Sequence, residues 1–194
     1  MKKFIPWQGQ NGPWHVNKSL PCYENPWVRV FHEQVTTPAK TAGIYGRIHF
    51  KNAAVAIIAL TEQDEIYLVK QFRYPLRSNS IELPMGGCAH KDDPLSIAKK
   101  ELKEETGLSA RKWQQIQFLH TSNSVTDEKA FVFVAESLTQ GASQLEDTED
   151  IEVIKKPFKE VLTWALTGKI TDAISIAAIY HLQILRIAQQ KDNC

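Results

Sequence analysis

Cysteine is scarce in this 194-residue sequence, and its pattern is unhelpful to any cross-link. Cys22, Cys88 and Cys194 are odd in number and have no CxxC spacing. A disulfide framework and a cysteine zinc site are therefore not expected, and a reducing cytoplasm suits the chain. A charge excess of one sign is also missing. Lys and Arg total 23 against 22 Asp and Glu, a net charge of +1, so nothing calls for a nucleic-acid or membrane-surface partner. Long apolar runs are absent too. Pro6, Gln8 and Gln10 interrupt the start before an export signal could form. The stretch from Ala173 to Ala188 carries His181, Gln183 and Arg186 and is shorter than a membrane span. None of the six histidines falls at HxxxH spacing, and there is no internal repeat. What remains is a 43% hydrophobic chain long enough for one well-buried domain and a small appended piece.

Hydrophobic periodicity supplies the elements. Trp7 to Pro38 mixes prolines, aromatics and short β-like runs such as Trp27-Val28-Arg29-Val30-Phe31, the pattern of an N-terminal strand appendage. Ala53 to Leu60 is a continuous apolar run, and Ile66 to Lys70 follows after the polar link Thr61 to Glu65, which predicts a hairpin. Asp93 as N-cap, Pro94 at the first helical position and Gly107 just past the end predict a helix between them. Phe118-Leu119-His120, Ala130 to Ala135 and Ile151 to Ile154 read as strands. Phe158 to Thr167, and a stretch from Thr171-Asp172 to about Gln190, read as helices. Mixed strands around a central helix, with two helices at the end, predict an α/β sandwich.

Chemistry concentrates on the central helix. Glu101, Glu104 and Glu105 stand at i, i+3 and i+4 and so share one face. Lys100 lies four residues before Glu104, in the weaker orientation for such a pair, and Glu101 repels Glu105. A hard divalent cation would resolve the conflict, because Mg²⁺ takes carboxylate oxygens together with phosphates and waters. Taken alone, the three residues favour a solvated surface helix over a metal site. Cys88 sits beside this region, but no neighbouring base in the sequence would activate it as a nucleophile.

The surroundings decide between those readings. Gly86, Asp92, Lys100, Glu101, Leu102, Glu104, Glu105, Gly107 and Leu108 fall at the spacing of the Nudix signature GX5EX7REUXEEXGU, where U is a bulky aliphatic residue. The chain thus resembles the Nudix family, with Asp92 where the family has Glu and Lys100 where it has Arg. Leu68 to Tyr74, Glu82-Leu83-Pro84-Met85-Gly86, Glu149 to Val153 and Gly168-Lys169-Ile170 resemble the ADP-ribose pyrophosphatase group, so the likeness runs roughly from Trp27 to Leu185.

The resemblance implies a Nudix α/β/α sandwich with a mixed sheet over 51–194 and an N-terminal β-strand appendage over 1–50 that forms a homodimer. It implies metal ligands at Glu101, Glu104, Glu105 and the Met85 carbonyl, with Glu104 also catalytic, and a water-activating carboxylate at Glu149 or Asp147. Substrate contacts are implied at Arg73, Trp27, Glu82, Asn123 and Glu128. By residue type alone Trp27 reads as a core residue; the likeness adds dimer formation and stacking on a nucleobase. In the loop Ser122 to Glu128, Asn123 and Ser124 replace the proline and glycine of the family's SPGxxxE segment, which puts the substrate's sugar in question. The implied reaction is Mg²⁺-dependent hydrolysis, with Mn²⁺ as the alternative ion, of ADP-ribose to AMP and ribose 5-phosphate in the cytoplasm. The rival readings are another ADP- or GDP-sugar pyrophosphatase and a non-catalytic nucleotide-sugar sensor.

Overall fold

The computed structural model describes residues 8–141 and 150–192. The chain folds as two compact units. One comprises the described part of Met1–Asn52 together with His120–Glu128; the other comprises Ala53–Leu119 and the described part of Lys129–Cys194.

The first unit is an antiparallel sheet in the order β1 (Gly9–Asn11), β2 (Trp14–Glu24), β3 (Val28–Thr36) and β4 (Ala42–Phe50). Its inner face carries Val16, Phe31 and Val35, all nearly inaccessible to solvent. A buried Glu33 joins them, satisfied by the Ser19 hydroxyl at 2.9 Å and by Arg47 at 3.1 Å. The Arg47 guanidinium also lies 4.2 Å from the centre of the Phe31 ring. Register shifts in the β2/β3 pairing fall between Val16 and Lys18 and between Pro21 and Tyr23. Pro21 has no N–H to give a ladder, so it is at home beside such an irregularity.

The second unit holds two sheets, β8 (Met85–Ala89), β5 (Asn52–Ala59), β10 (Lys129–Gln140) and β9 (Leu108–His120) in the order 8-5-10-9, and β11 (Glu152–Pro157), β6 (Glu65–Arg73) and β7 (Ser78–Glu82) in the order 11-6-7. The β5/β10 pair is parallel, whereas β6 runs antiparallel to both its neighbours. The α-helices described in this unit are α1 (Pro94–Thr106), α2 (Phe158–Leu166) and α3 (Ala173–Asp192), and a short 3-10 turn spans Tyr74–Leu76.

The continuous apolar run of β5 now has a physical reason. Ala53, Val55, Ile57 and Ala59 pack with Ala98 and Leu102 of α1. The alternate residues Ala56 and Ile58 pack with Phe158, Val161, Ile174 and Ile179 of α2 and α3. A strand covered on both faces needs apolar side chains on both. The mixed α/β/α sandwich expected from sequence is therefore present in this unit.

Two expectations change in detail. The link Thr61 to Glu65 does turn the chain back, with the Thr61 N–H donating to the Glu65 carbonyl at 2.9 Å. Only the bridge Leu60 to Ile66 joins the flanking segments, however, and β5 and β6 then enter different sheets. Strand β9 begins at Leu108, ten residues before the predicted start. Its apolar residues Trp113, Ile116 and Leu119 recur every three positions, which conceals the period of two that marks a strand. Among the described residues no helix is long and apolar enough to cross a membrane.

Candidate active site

The signature helix is fixed at both ends by local chemistry. The Asp93 carboxylate accepts from the Ser96 N–H at 2.9 Å and from the Ser96 hydroxyl at 2.7 Å, which holds its carboxyl below the usual range. Gly107, at φ 73°, donates its N–H to the Lys103 carbonyl and ends α1 in the left-handed conformation that glycine adopts without strain.

Between those caps the three carboxylates take three different partners. Glu105 is 3% exposed and accepts from the Met85 N–H at 3.1 Å. The Glu101 carboxyl lies directly against the Cα of Gly86, where any side chain would overlap it. Glu104 receives the Lys100 ammonium at 2.7 Å, and the same ammonium stands 3.9 Å from Glu101. Lys100 thus bridges two of the carboxylates as a single point charge, where a guanidinium would offer a planar fork. The Glu101 and Glu105 carboxyls thus meet the start of β8 at Gly86 and Met85.

Among the described residues no three His, Cys, Asp or Glu side chains converge into a ready-made metal cage. The donor chemistry nevertheless fits a hard divalent ion. The side-chain set is all carboxylate, and Mg²⁺ retains waters and takes substrate phosphates in place of a full protein cage. Glycine at position 86 is what admits the Glu101 carboxyl to the β8 backbone.

A second charged group borders β7. Glu82, 3% exposed, accepts from the Arg73 Nε at 3.0 Å and from a terminal nitrogen of the same guanidinium. These bonds raise the Arg73 pKa above its ordinary value against the opposing effect of burial, with the charges of Glu82, Asp172 and Glu105 adding. The next residue, Leu83, donates its N–H to the buried Ser175 hydroxyl at 2.9 Å, and Asp172 caps α3 by accepting from the Ser175 N–H at 2.7 Å. The segment Glu82–Gly86 is therefore tied to Arg73, α3 and α1.

Glu82→Gln should lower stability by about 1–3 kcal/mol, because the half-exposed Arg73 would keep its charge while losing its anionic partner. Urea denaturation measures this, and an unchanged midpoint would show that the pair contributes nothing.

The remaining expected residues divide. Trp27 is 66% exposed, so its packing assignment is corrected: it stands on the surface beside the β2–β3 turn, where Asn25 caps the Trp27 and Val28 N–H groups. Asn123 lines a cavity of about 220 Å³ in the first unit, with Trp14, Glu33, Tyr45, Arg47 and Asp127 also in its wall. Glu128 accepts a hydrogen bond from the Thr121 hydroxyl. Glu149 and Asp147 lie outside the described residues. Cys88 is buried, and that burial, with Asp92 and Asp93 nearby, pushes its thiol pKa up; it is no activated nucleophile.

Sequence reasoning missed Ser175, which anchors Leu83, and the pairing of His49 with Asp127 at 2.6 Å. No local signal marks such partners, 92 and 78 residues apart.

Comparison with known proteins gives the family. The NUDIX domain model matches residues 50–174, more than half of the chain. The chain is 35% identical over 138 residues to an ADP-ribose pyrophosphatase of Bacillus subtilis (strain 168), a match covering 70% of this chain and 75% of the relative. It is 31% identical to a methanol dehydrogenase activator of Bacillus methanolicus, over 71% and 76% of the two chains. It is 30% identical to a GDP-mannose pyrophosphatase of Cronobacter sakazakii (strain ATCC BAA-894), over 69% and 74%. A crystal structure of an ADP compounds hydrolase shares the fold, with a TM-score of 0.81 at 17% identity over 91% of this chain and 95% of that one. The chain therefore belongs to the Nudix family. Within it, the chain is a hydrolase of the pyrophosphatase type, in a family that generally uses a divalent metal.

Proposed function

We propose that the protein hydrolyses the diphosphate linkage of a nucleoside-diphosphate sugar, ADP-ribose to AMP and ribose 5-phosphate, in a Mg²⁺-dependent reaction. The observation that carries this reading is the joint anchoring of Glu101 and Glu105 at Met85–Gly86, which gathers carboxylate charge on one face of α1. The name of the Bacillus subtilis relative supports ADP-ribose, and the GDP-mannose relative keeps a GDP-sugar as the second reading.

In this assignment Glu101, Glu104, Glu105 and the Met85 carbonyl hold Mg²⁺, with Mn²⁺ as its substitute. The ion would neutralise phosphate charge as water attacks phosphorus. Glu149 or Asp147 takes the proton from that water. Arg73, braced by Glu82, faces the substrate's anionic groups, while Trp27, Asn123 and Glu128 contact its base and sugar. Residues 51–194 form the hydrolase domain, and the strand appendage 1–50 forms a homodimer in the cytoplasm.

Turnover of ADP-ribose, ADP-glucose and GDP-mannose should be measured with Mg²⁺ and with EDTA. Cleavage of ADP-ribose that EDTA abolishes is expected. Metal-independent binding with no turnover of any of them would instead make the chain a sensor.

A further inference from the structure

The segment between β9 and β10 is held in an unusual way for its length. None of the residues from Thr121 to Glu128 is buried, and Val125 is 44% exposed. Apolar packing therefore cannot fix its conformation, and polar bonds must. Its own turn is closed by the Ser122 carbonyl, which accepts from the Thr126 N–H at 2.8 Å and from the Val125 N–H at 3.1 Å.

The rest of its support comes from β4. Among the described strands it pairs only with β3, along one edge, and the backbone groups of its other edge need partners. Ile48 donates its N–H to the Val125 carbonyl at 2.9 Å, and Ile48 and Thr126 form a parallel bridge. The Tyr45 hydroxyl donates to the Ser124 carbonyl. Asp127 finishes the attachment: one carboxylate oxygen accepts from the Phe50 N–H at 2.9 Å, and the other meets His49 Nδ1 at 2.6 Å. Charge-assisted bonds of this kind are roughly twice as strong as neutral ones. Asp127 is thus the strongest tie in a segment that has no core of its own.

We propose that Asp127 is a positioning residue, which through His49 and the Phe50 N–H clamps the turn Ser122–Thr126 to the β4 edge and so fixes Asn123 and Glu128 for the substrate's sugar. The proposal rests on the reading of the chain as a nucleotide-sugar hydrolase in which those two residues contact substrate. Asp127 itself touches no reacting atom. Its loss should therefore loosen sugar binding and spare the chemical step, which depends on the carboxylates of α1.

The test compares full-length wild type with Asp127→Ala, Asp127→Asn and Tyr45→Phe. Amide hydrogen exchange is read at Ile48, Phe50 and Asp127, and KM and kcat are measured with ADP-ribose and Mg²⁺. Asp127→Ala should speed exchange at these amides and raise KM by about tenfold, the equivalent of one charge-assisted hydrogen bond. Its kcat should stay within about threefold of wild type, as expected when only binding common to ground and transition states is lost. Asp127→Asn retains an oxygen for the Phe50 N–H and an amide for His49, and should restore most of the affinity. Tyr45→Phe should shift KM in the same direction by less.

Unchanged exchange in Asp127→Ala would overturn the clamp. Faster exchange with unaltered KM would overturn the positioning role while wild-type turnover leaves the hydrolase reading intact. A fall in kcat and thermal midpoint at constant KM would make the residue merely structural and also refute the proposal. Absence of wild-type turnover would defeat the hydrolase reading, and this inference with it.

Discussion

Glu105→Gln should reduce kcat on the order of 10²–10³-fold, the scale on which removal of one preorganised electrostatic group slows an enzyme. The substitution keeps the shape of the side chain and an oxygen that can still accept from the Met85 N–H, now 3.1 Å from Glu105. What it removes is a negative charge at a site that is 3% exposed. Charge so shielded from water acts strongly on anything nearby, so the effect should fall on metal-supported turnover and not on the fold. Stability should hold or rise slightly, because the like-charge pair formed with Glu101 one turn away costs about 0.2–0.5 kcal/mol. The measurements are kcat over a Mg²⁺ titration and the thermal midpoint of the same preparation. A folded variant with near-normal turnover would sink the assignment of Glu105 as a metal-holding carboxylate. Loss of activity with a raised midpoint would mark the residue as one whose presence serves the reaction at the expense of the fold.

Much of the second unit was legible because its signals are local. Asp93, Pro94 and Gly107 bracket α1 to within a residue, since a cap, a first-turn proline and a left-handed glycine each act over a few positions. The unbroken run from Ala53 marked a strand, and α1 on one side with α2 and α3 on the other explain why both its faces are apolar. The carboxylate face followed from helical geometry alone, yet the sequence could not say that its members would take separate partners. Glu101 needs Gly86 and Glu105 needs Met85, and both contacts depend on how β8 meets α1.

Where pairing is non-local, the reading stopped. Strand β9 lies at the end of its sheet order, and its polar residues from Arg111 to Gln115 are spaced like a loop. In the first unit, Glu33 carried no mark of burial. Its partners, the Arg47 guanidinium and the Ser19 hydroxyl, come from strands on either side of β3. The exposed Trp27 shows the limit of residue type as a guide: a large aromatic ring is ordinarily buried, but here Asn25 caps the turn beneath it and leaves the ring outside. Asp127 was visible only as one polar residue of a loop, and its meaning arises from the edge of β4.

Gly86→Ala should separate the site from the fold more sharply than any carboxylate substitution. The added methyl would overlap the Glu101 carboxyl carbon and both its oxygens, which are the three nearest atoms. Because the obstructing group is the end of a flexible side chain, the helix and β8 can both stay in place while the carboxyl swings away. Stability should consequently change by less than about 1 kcal/mol, below the usual range for overpacking against a rigid neighbour. Catalysis has no such freedom. A displacement of about 1 Å in a group that positions the reacting atoms can lower the rate about 100-fold, so a loss of kcat on that scale is expected, with weaker activation by Mg²⁺. Restoring space from the other side tests the cause. Glu101→Asp in the Gly86→Ala background shortens the obstructing arm, and it should recover part of the lost activity if collision with the methyl is responsible. A Gly86→Ala enzyme with full activity would show that the position of the Glu101 carboxyl against β8 is incidental to the reaction. A variant that loses its cooperative unfolding would show instead that the backbone, not the carboxyl, gives way.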